Sequence, residues 1–236
     1  MSGPATVDGA TPQARSWLAD AWYDTAYWAC AFGLTLGFSL RTEGSRHVPR
    51  RGPALVIANH LSYLDPPLVG VAARRPLCAL ARKSLYRHAA FAWLLRSLHA
   101  VPIDQEGTGI EGLRVVLRLL QAGEAVLVFL EGHRSRDGAM RPLEAGVHLL
   151  IKRTKAPIIP VGIAGAYDAW PPGVKVPVPA PLFLPATART VAVSIGAPLD
   201  ARRYANMPRE SALEELAGEL RRAADRAERL RRKPWA

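Results

Sequence analysis

Residues 53–67 read PALVIANHLSYLDPP, and their interpretation sets the fold class. Pro53 to Ala58 is apolar with a β-branched centre, so it predicts a short buried strand. Asp65 then precedes Pro66 and Pro67, the pattern of an N-cap with proline in the first helical turn, and predicts a helix running to about Ala73. A strand, a seven-residue polar and aromatic turn, and a helix follow one another without a break.

The same alternation recurs outward from this unit. Glu111 to Ala122 places Leu113, Val116, Leu117 and Leu120 on one helical stripe, ended by Gly123. Ala125 to Leu130 (AVLVFL) is a fully apolar strand. A helix is expected over Ala145 to Thr154, then strands over Pro157 to Ile163 and Thr190 to Ile195. Such alternation predicts an α/β fold, a central mixed sheet flanked by helices, with ligands beyond the carboxyl ends of the strands. Pro171 to Pro185 carries neither helical nor clear strand patterning and is expected to be a long surface flap near the site. There is no internal repeat and no low-complexity block.

The chain has 236 residues, long enough for one substantial core and short for two. Thirty-one Lys and Arg against 20 Asp and Glu give a formal charge of +11, which favours an anionic partner without choosing among phospholipid, nucleic acid and phosphorylated substrate. Cys30 and Cys78 have neither the number nor the spacing of a disulfide framework or a zinc site, which fits a reducing compartment. His47, His88, His99 and His148 show no metal-ligand spacing either, so no metal is expected. Residues 1–14 lack the basic start of a secretory signal and read as a disordered lead-in.

Residues 15–40 form an apolar, aromatic-rich segment expected to be helical and membrane-associating. Seven of the chain's aromatics (Trp17, Trp22, Tyr23, Tyr27, Trp28, Phe32, Phe38) fall within it, and Trp and Tyr favour the headgroup level of a bilayer. Its uncharged part, Thr25 to Leu40, would reach about 24 Å as a helix, against roughly 30 Å for a hydrocarbon core. A helix lying in the membrane interface, one packed on the protein's own core, and a true span with Asp20 and Asp24 at its polar end are all compatible with this composition. Residues 41–236 make up the remaining domain.

Two clusters carry chemistry. Asn59-His60 leaves the first buried strand, with Asp65 five positions beyond the histidine. On a continuous helix that spacing would set the two about 140° apart, so a loop is needed to bring them together. If the chain folds back, the carboxylate can orient one imidazole nitrogen and stabilise the imidazolium, leaving the other nitrogen to accept a proton. Taken alone, the pair reads first as a loop histidine beside a helix cap. The second cluster, Glu131-Gly132-His133-Arg134-Ser135-Arg136, leaves the Ala125–Leu130 strand. Arg134, with Arg136 nearby, offers a planar fork to a phosphate, and Glu131 is expected to fix that fork or hold a substrate hydroxyl. Arg82 and Lys83 read as an exposed basic turn, with the mouth of the site as the alternative place for them, and Arg221 to Lys233 as a basic helix facing either headgroups or solvent.

These blocks resemble the glycerolipid acyltransferase family that includes the 1-acylglycerol-3-phosphate acyltransferases. Asn59 to Asp65 matches the family's Asn-His-x-x-x-x-Asp block, Phe129 to Ser135 resembles its Phe-Pro-Glu-Gly-Thr-Arg-Ser block, and Ala156 to Val161 resembles its Val-Pro-Ile-x-Pro-Val block. The likeness covers about Arg41 to Gly196. It implies catalysis by His60 and Asp65, substrate binding by Asn59, Glu131, Gly132, Arg134, Ser135 and Arg136, and direct transfer of a fatty-acyl group from acyl-CoA or acyl carrier protein to an acceptor hydroxyl. No cofactor is implied, the acyl donor being a substrate. Leu130 replaces the usual Pro and His133 the usual Thr, and Gln105 stands where the family usually has an Arg associated with the acceptor phosphate.

The expected acceptor is a lysophospholipid, first of all 1-acyl-sn-glycerol-3-phosphate, giving phosphatidic acid; glycerol 3-phosphate, another lysophospholipid or an amino-acid lysolipid are the alternatives. The expected location is the cytoplasmic face of a membrane, as a peripheral or monotopic protein. A serine hydrolase would need Gly-x-Ser-x-Gly and a dinucleotide enzyme Gly-x-Gly-x-x-Gly, and neither occurs. Nucleic acid is not an expected partner, because the aromatics are gathered at the apolar start rather than interleaved with basic residues. The rival from another class is a noncatalytic protein that binds anionic lipid.

Overall fold

The computed structural model describes residues 17–103, 110–183 and 185–233. The expected lead-in over 1–14 and Gln105 both lie outside them. The strands are β1 (Arg41–Glu43), β2 (Ala54–Ala58), β3 (Cys78–Arg82), β4 (Ala100–Ile103), β5 (Ala125–Phe129), β6 (Ile158–Ala164) and β7 (Ala192–Ile195). The helices are α1 (Trp17–Phe38), α2 (Asp65–Ala73), α3 (Ala89–Ser97), α4 (Ile110–Gln121), α5 (Val147–Arg153), α6 (Ala166–Ala169), α7 (Ala201–Ala205) and α8 (Arg209–Arg232). The strands form one mixed sheet in the order β1-β7-β6-β2-β5-β3-β4, with β7 antiparallel to β6 and the other pairings parallel.

The central strands owe their burial to continuous apolar runs. Every residue of β2 and of β6 is buried, as expected of parallel strands covered on both faces. The two-residue period of β2 divides it between two cores. Ala54, Val56 and Ala58 pack with Leu68, Val69 and Ala72 of α2 and Leu34 of α1, while Leu55 and Ile57 pack with Val116 and Leu120 of α4, Ile151 of α5 and Leu216 and Leu220 of α8. Helix α8 lies so close to β6 that a Cβ on Gly162 would come within 2.0 Å of the Ala223 carbonyl carbon, so only glycine fits there.

The sequence did not reveal β1, β3, β4 or α3. The outer strands are short and only partly buried, and β4 holds Pro102, which an edge strand tolerates because one side of its ladder is unpaired. The basic stretch Arg221 to Lys233 is the end of α8, which buries Ala212, Leu216, Leu220, Ala223 and Ala227 on one face. Elsewhere on the helix Arg222 pairs with Glu219, and Arg231 and Arg232 pair with Glu228. These pairs partly neutralise the helix's net basicity.

Helix α1 turns one side to the protein, with Leu34 in the core and Cys30 and Phe38 packed against it, and the Tyr27 hydroxyl donates to the Val71 carbonyl at 3.2 Å. Its other side leaves Trp28, Phe32 and Leu36 exposed. No helix among the described residues is long and apolar enough to cross a membrane.

Candidate active site

The register of the central strands builds the site. Ala58 of β2 lies opposite Phe129 of β5, so the residues that follow, Asn59-His60 and Leu130-Glu131, leave the sheet side by side at its carboxyl edge. Asn59 extends the pairing of β2 with β6 by means of its side chain. Its Nδ2 donates to the Ile163 carbonyl at 3.0 Å, and its Oδ1 accepts from the Ile163 amide at 2.8 Å. Buried and doubly bonded, Asn59 fixes where the turn begins.

His60 is held by its main chain as well as by its ring. Its amide donates to Glu131 Oε1 at 2.9 Å, and its carbonyl accepts from the Ser135 amide at 2.8 Å. The imidazole stacks on the Phe129 ring, with centroids 3.9 Å apart and planes inclined by 14°. Its Nδ1 lies 2.8 Å from Asp65 Oδ2. That same oxygen accepts the amides of Leu61 at 2.6 Å and Ser62 at 2.7 Å. An oxygen receiving two amide protons acts as an acceptor, so Nδ1 is the protonated nitrogen and Nε2 carries the lone pair. Nε2 has no hydrogen-bond partner among the described residues, and the side chain is 13% exposed.

Asp65 was expected to cap its own helix, and it does not. Leu64 occupies the N-cap position without a side-chain cap, and Asp65 is the first residue of α2, with Pro66 and Pro67 following in the first turn. The carboxylate instead folds back over the turn, because the donors of Leu61, Ser62 and His60 converge there. Burial pushes the Asp65 carboxyl above the usual carboxylate range, while His60 and the Ser62 and Leu61 amides pull it back down.

Glu131 is likewise turned inward. Beside its bond to His60, Oε2 accepts the Arg141 amide at 2.7 Å, and burial raises its carboxyl against these two amide bonds. Each oxygen accepts a main-chain amide, so Glu131 ties the two motif turns together. Gly132 allows that inward course: its φ is +70°, and a Cβ there would come within 3.0 Å of Glu144 Cγ.

The rest of the second cluster divides. Ser135 is buried, its hydroxyl donating to Asp137 Oδ1 at 3.0 Å, so it braces the loop rather than facing a ligand. Arg136 is exposed, and its carbonyl accepts from the Tyr167 hydroxyl at 2.6 Å. Arg134 meets the His60 turn through its side chain: its guanidinium carbon is 4.0 Å from the centre of the Tyr63 ring. Tyr63 in turn lies against Trp170, ring centroids 5.3 Å apart, and the Ser62 hydroxyl donates to the Trp170 carbonyl at 2.7 Å. Phe129, Ser62, Tyr63 and Trp170 were not singled out from the sequence. Phe129 and Tyr63 stood within quoted motifs, but nothing in their spacing tells which partner a ring meets. Arg82 and Lys83 are exposed at the end of β3. Among the described residues no three His, Cys, Asp or Glu side chains are placed to hold a metal ion.

A family model described as Acyltransferase matches residues 39–164, more than half of the chain. A 1-acyl-sn-glycerol-3-phosphate acyltransferase of Bacillus subtilis is 26% identical over 144 residues, 59% of this chain and 71% of its own length. One of Limnanthes douglasii is 28% identical over 140 residues, covering 58% of this chain and 49% of its own. The human 1-acyl-sn-glycerol-3-phosphate acyltransferase alpha is 28% identical over 139 residues, 57% and 48% of the two chains. The chain thus spans about half the length of the plant and human relatives. The crystal structure of a 1-acyl-sn-glycerophosphate acyltransferase from Thermotoga maritima shares the fold, with a TM-score of 0.71, 22% identity, and coverage of 93% of this chain and 80% of that one.

Proposed function

The chain belongs to the acyltransferase family, and on that premise we propose that it moves a fatty-acyl group from acyl-CoA or acyl carrier protein to the free hydroxyl of a lysophospholipid. The first-choice acceptor is 1-acyl-sn-glycerol-3-phosphate, which would give phosphatidic acid. The observation that carries the reading is the 2.8 Å contact of His60 Nδ1 with Asp65 Oδ2, which leaves Nε2 with its lone pair. As the acceptor oxygen attacks the thioester carbonyl, its proton passes to Nε2. The tetrahedral adduct then collapses, the thiolate leaves, and the imidazolium returns the proton to the sulfur. No acyl-enzyme forms, and the reaction as written calls for no cofactor. Asp65 stabilises the transient imidazolium and fixes its tautomer.

Arg134, on its Tyr63 shelf beside the His60 turn, is the group we assign to the acceptor phosphate. Other acceptors, among them glycerol 3-phosphate, another lysophospholipid and an amino-acid lysolipid, fit the same chemistry. We place the protein at the cytoplasmic face of a membrane, peripheral or monotopic, with no nucleic-acid partner. Support comes from the exposed Trp28–Phe32–Leu36 stripe of α1, the net charge of +11 and a content of only two cysteines.

The direct experiment incubates purified protein with labelled acyl thioester and a panel of these acceptors. Acylated product from the wild type and none from a folded His60→Ala variant supports the reading. Lipid binding without acyl transfer to any acceptor would favour the noncatalytic alternative.

A further inference from the structure

We propose that the Pro-rich segment after Trp170 is a second membrane-docking element, joined to the outer stripe of α1 in one apolar surface that seats on a phospholipid bilayer. It deepens the membrane placement proposed above and rests on it. Between Trp170 and Ala192 the segment forms no helix or strand among the described residues. It is nonetheless held firmly. The Val178 amide donates to the Ala169 carbonyl at 2.7 Å, and the Trp170 indole donates to the Val174 carbonyl at 2.8 Å. At its other end, the amides of Ala180 and Leu182 donate to the carbonyls of Gly37 and Leu36 at 2.8 and 3.1 Å. Those carbonyls belong to the last turn of α1, which no helical amide can satisfy. The Ser39 hydroxyl adds a bond to the Ala180 carbonyl at 2.8 Å.

This segment therefore caps α1 and continues its surface. It exposes large apolar side chains, Phe183 at 81% and Val176 at 69%, as α1 exposes Trp28 and Phe32 at 68% each. On α1, Trp28, Phe32 and Leu36 recur every four residues and so share one face. Apolar surface left open by two elements that are hydrogen-bonded to each other is what a soluble fold avoids and an interaction surface requires.

The charge pattern selects the occupant. From Pro171 to Ile195 there is no acidic residue, and the only charges are Lys175 and Arg189. Apolar side chains flanked by isolated cations suit a leaflet with anionic headgroups, where the hydrocarbon takes the side chains and the phosphates take the cations. The segment also begins at Trp170, against Tyr63 and the Ser62 hydroxyl of the His60 turn. Seating it on a bilayer would bring the site to the surface where a lysophospholipid resides.

The test is flotation of the full chain with vesicles of phosphatidylcholine alone and of equimolar phosphatidylcholine and phosphatidylglycerol. The double variant Val176→Ser, Phe183→Ser is compared with wild type and with Trp28→Ser. These side chains are exposed and serine is uncharged, so the fold and the electrostatics should persist; circular dichroism and the thermal midpoint check the former. The expected result is vesicle binding weakened by about tenfold or more on both lipid compositions, as removal of buried apolar side chains demands. The single Phe183→Ser variant should fall between. Wild-type binding by the double variant overturns the inference, as does a loss confined to anionic vesicles, and would leave the surface to a protein partner. Binding is read without acyl transfer. Flap variants that float normally while the wild type transfers acyl groups would defeat this inference alone, and a wild type with no transfer whose flap variants lose binding would defeat only the proposed function.

Discussion

The Arg134 guanidinium rests 4.0 Å from the centre of the Tyr63 ring, so a residue of the first motif turn holds the cation of the second. No carboxylate among the described residues pairs with Arg134, and the ring is what limits its rotamers. Tyr63→Ala should therefore raise the acceptor KM roughly two- to thirtyfold, as a cation–π contact of about 0.5–2 kcal/mol implies, with kcat little changed. Tyr63→Phe keeps the π face and should stay near wild type. An unaltered KM in Tyr63→Ala would show that the ring does not position Arg134.

Removal of the imidazole is the sharper test of chemistry. His60→Ala should lower kcat by about 10² to 10⁴, the usual contribution of general-base catalysis. Asp65→Asn should also reduce turnover, through loss of the oriented tautomer and of the charge beside the imidazolium. Turnover equal to wild type in folded His60→Ala protein would rule the mechanism out.

Asn59 behaves as a structural residue in this fold. Asn59→Ala leaves the Ile163 amide and carbonyl, both buried, without partners. Each orphaned group costs about 1–3 kcal/mol. Urea denaturation should show a clear fall in midpoint, along with lower activity as the turn loosens. An unchanged midpoint combined with a raised acceptor KM would return Asn59 to the substrate.

Glu131 makes a pH-dependent contribution of predictable sign. Its folded carboxyl is raised by burial above the ordinary value of 4.5, so the folded state binds more protons than the unfolded one across that window. Stability from this group is then fully present below 4.5 and is lost as pH rises through the folded value. Unfolding free energies measured for wild type and Glu131→Gln from acid to neutral pH should therefore show a component of decline in the wild type that is missing in the variant. Parallel profiles would contradict the shift.

Much of this could be read along the chain. The β2–turn–α2 unit, β5, β6, β7, α4 and α5 follow from local periodicity and from proline and glycine placement. Two of the outer strands did not, because Cys78–Arg82 and Ala100–Ile103 are short and half-buried, the first without a β-branched residue and the second interrupted by Pro102. Asp65 was legible as a helix start and His60 as a candidate base, since both depend on residues a few positions apart.

What the sequence determined by itself is the class of fold, the order of its motifs and the short turn that keeps His60 and Asp65 within reach of each other. What only the tertiary structure decided is the use of each remaining polar group: Asn59 on the Ile163 main chain, Glu131 on the amides of His60 and Arg141, and the Pro-rich segment on the last turn of α1. The physical reason lies in the partners. Most of these bonds go to backbone N–H and C=O groups, which nearly every residue carries alike, so a sequence bears no mark of which ones a distant strand order will bring within reach.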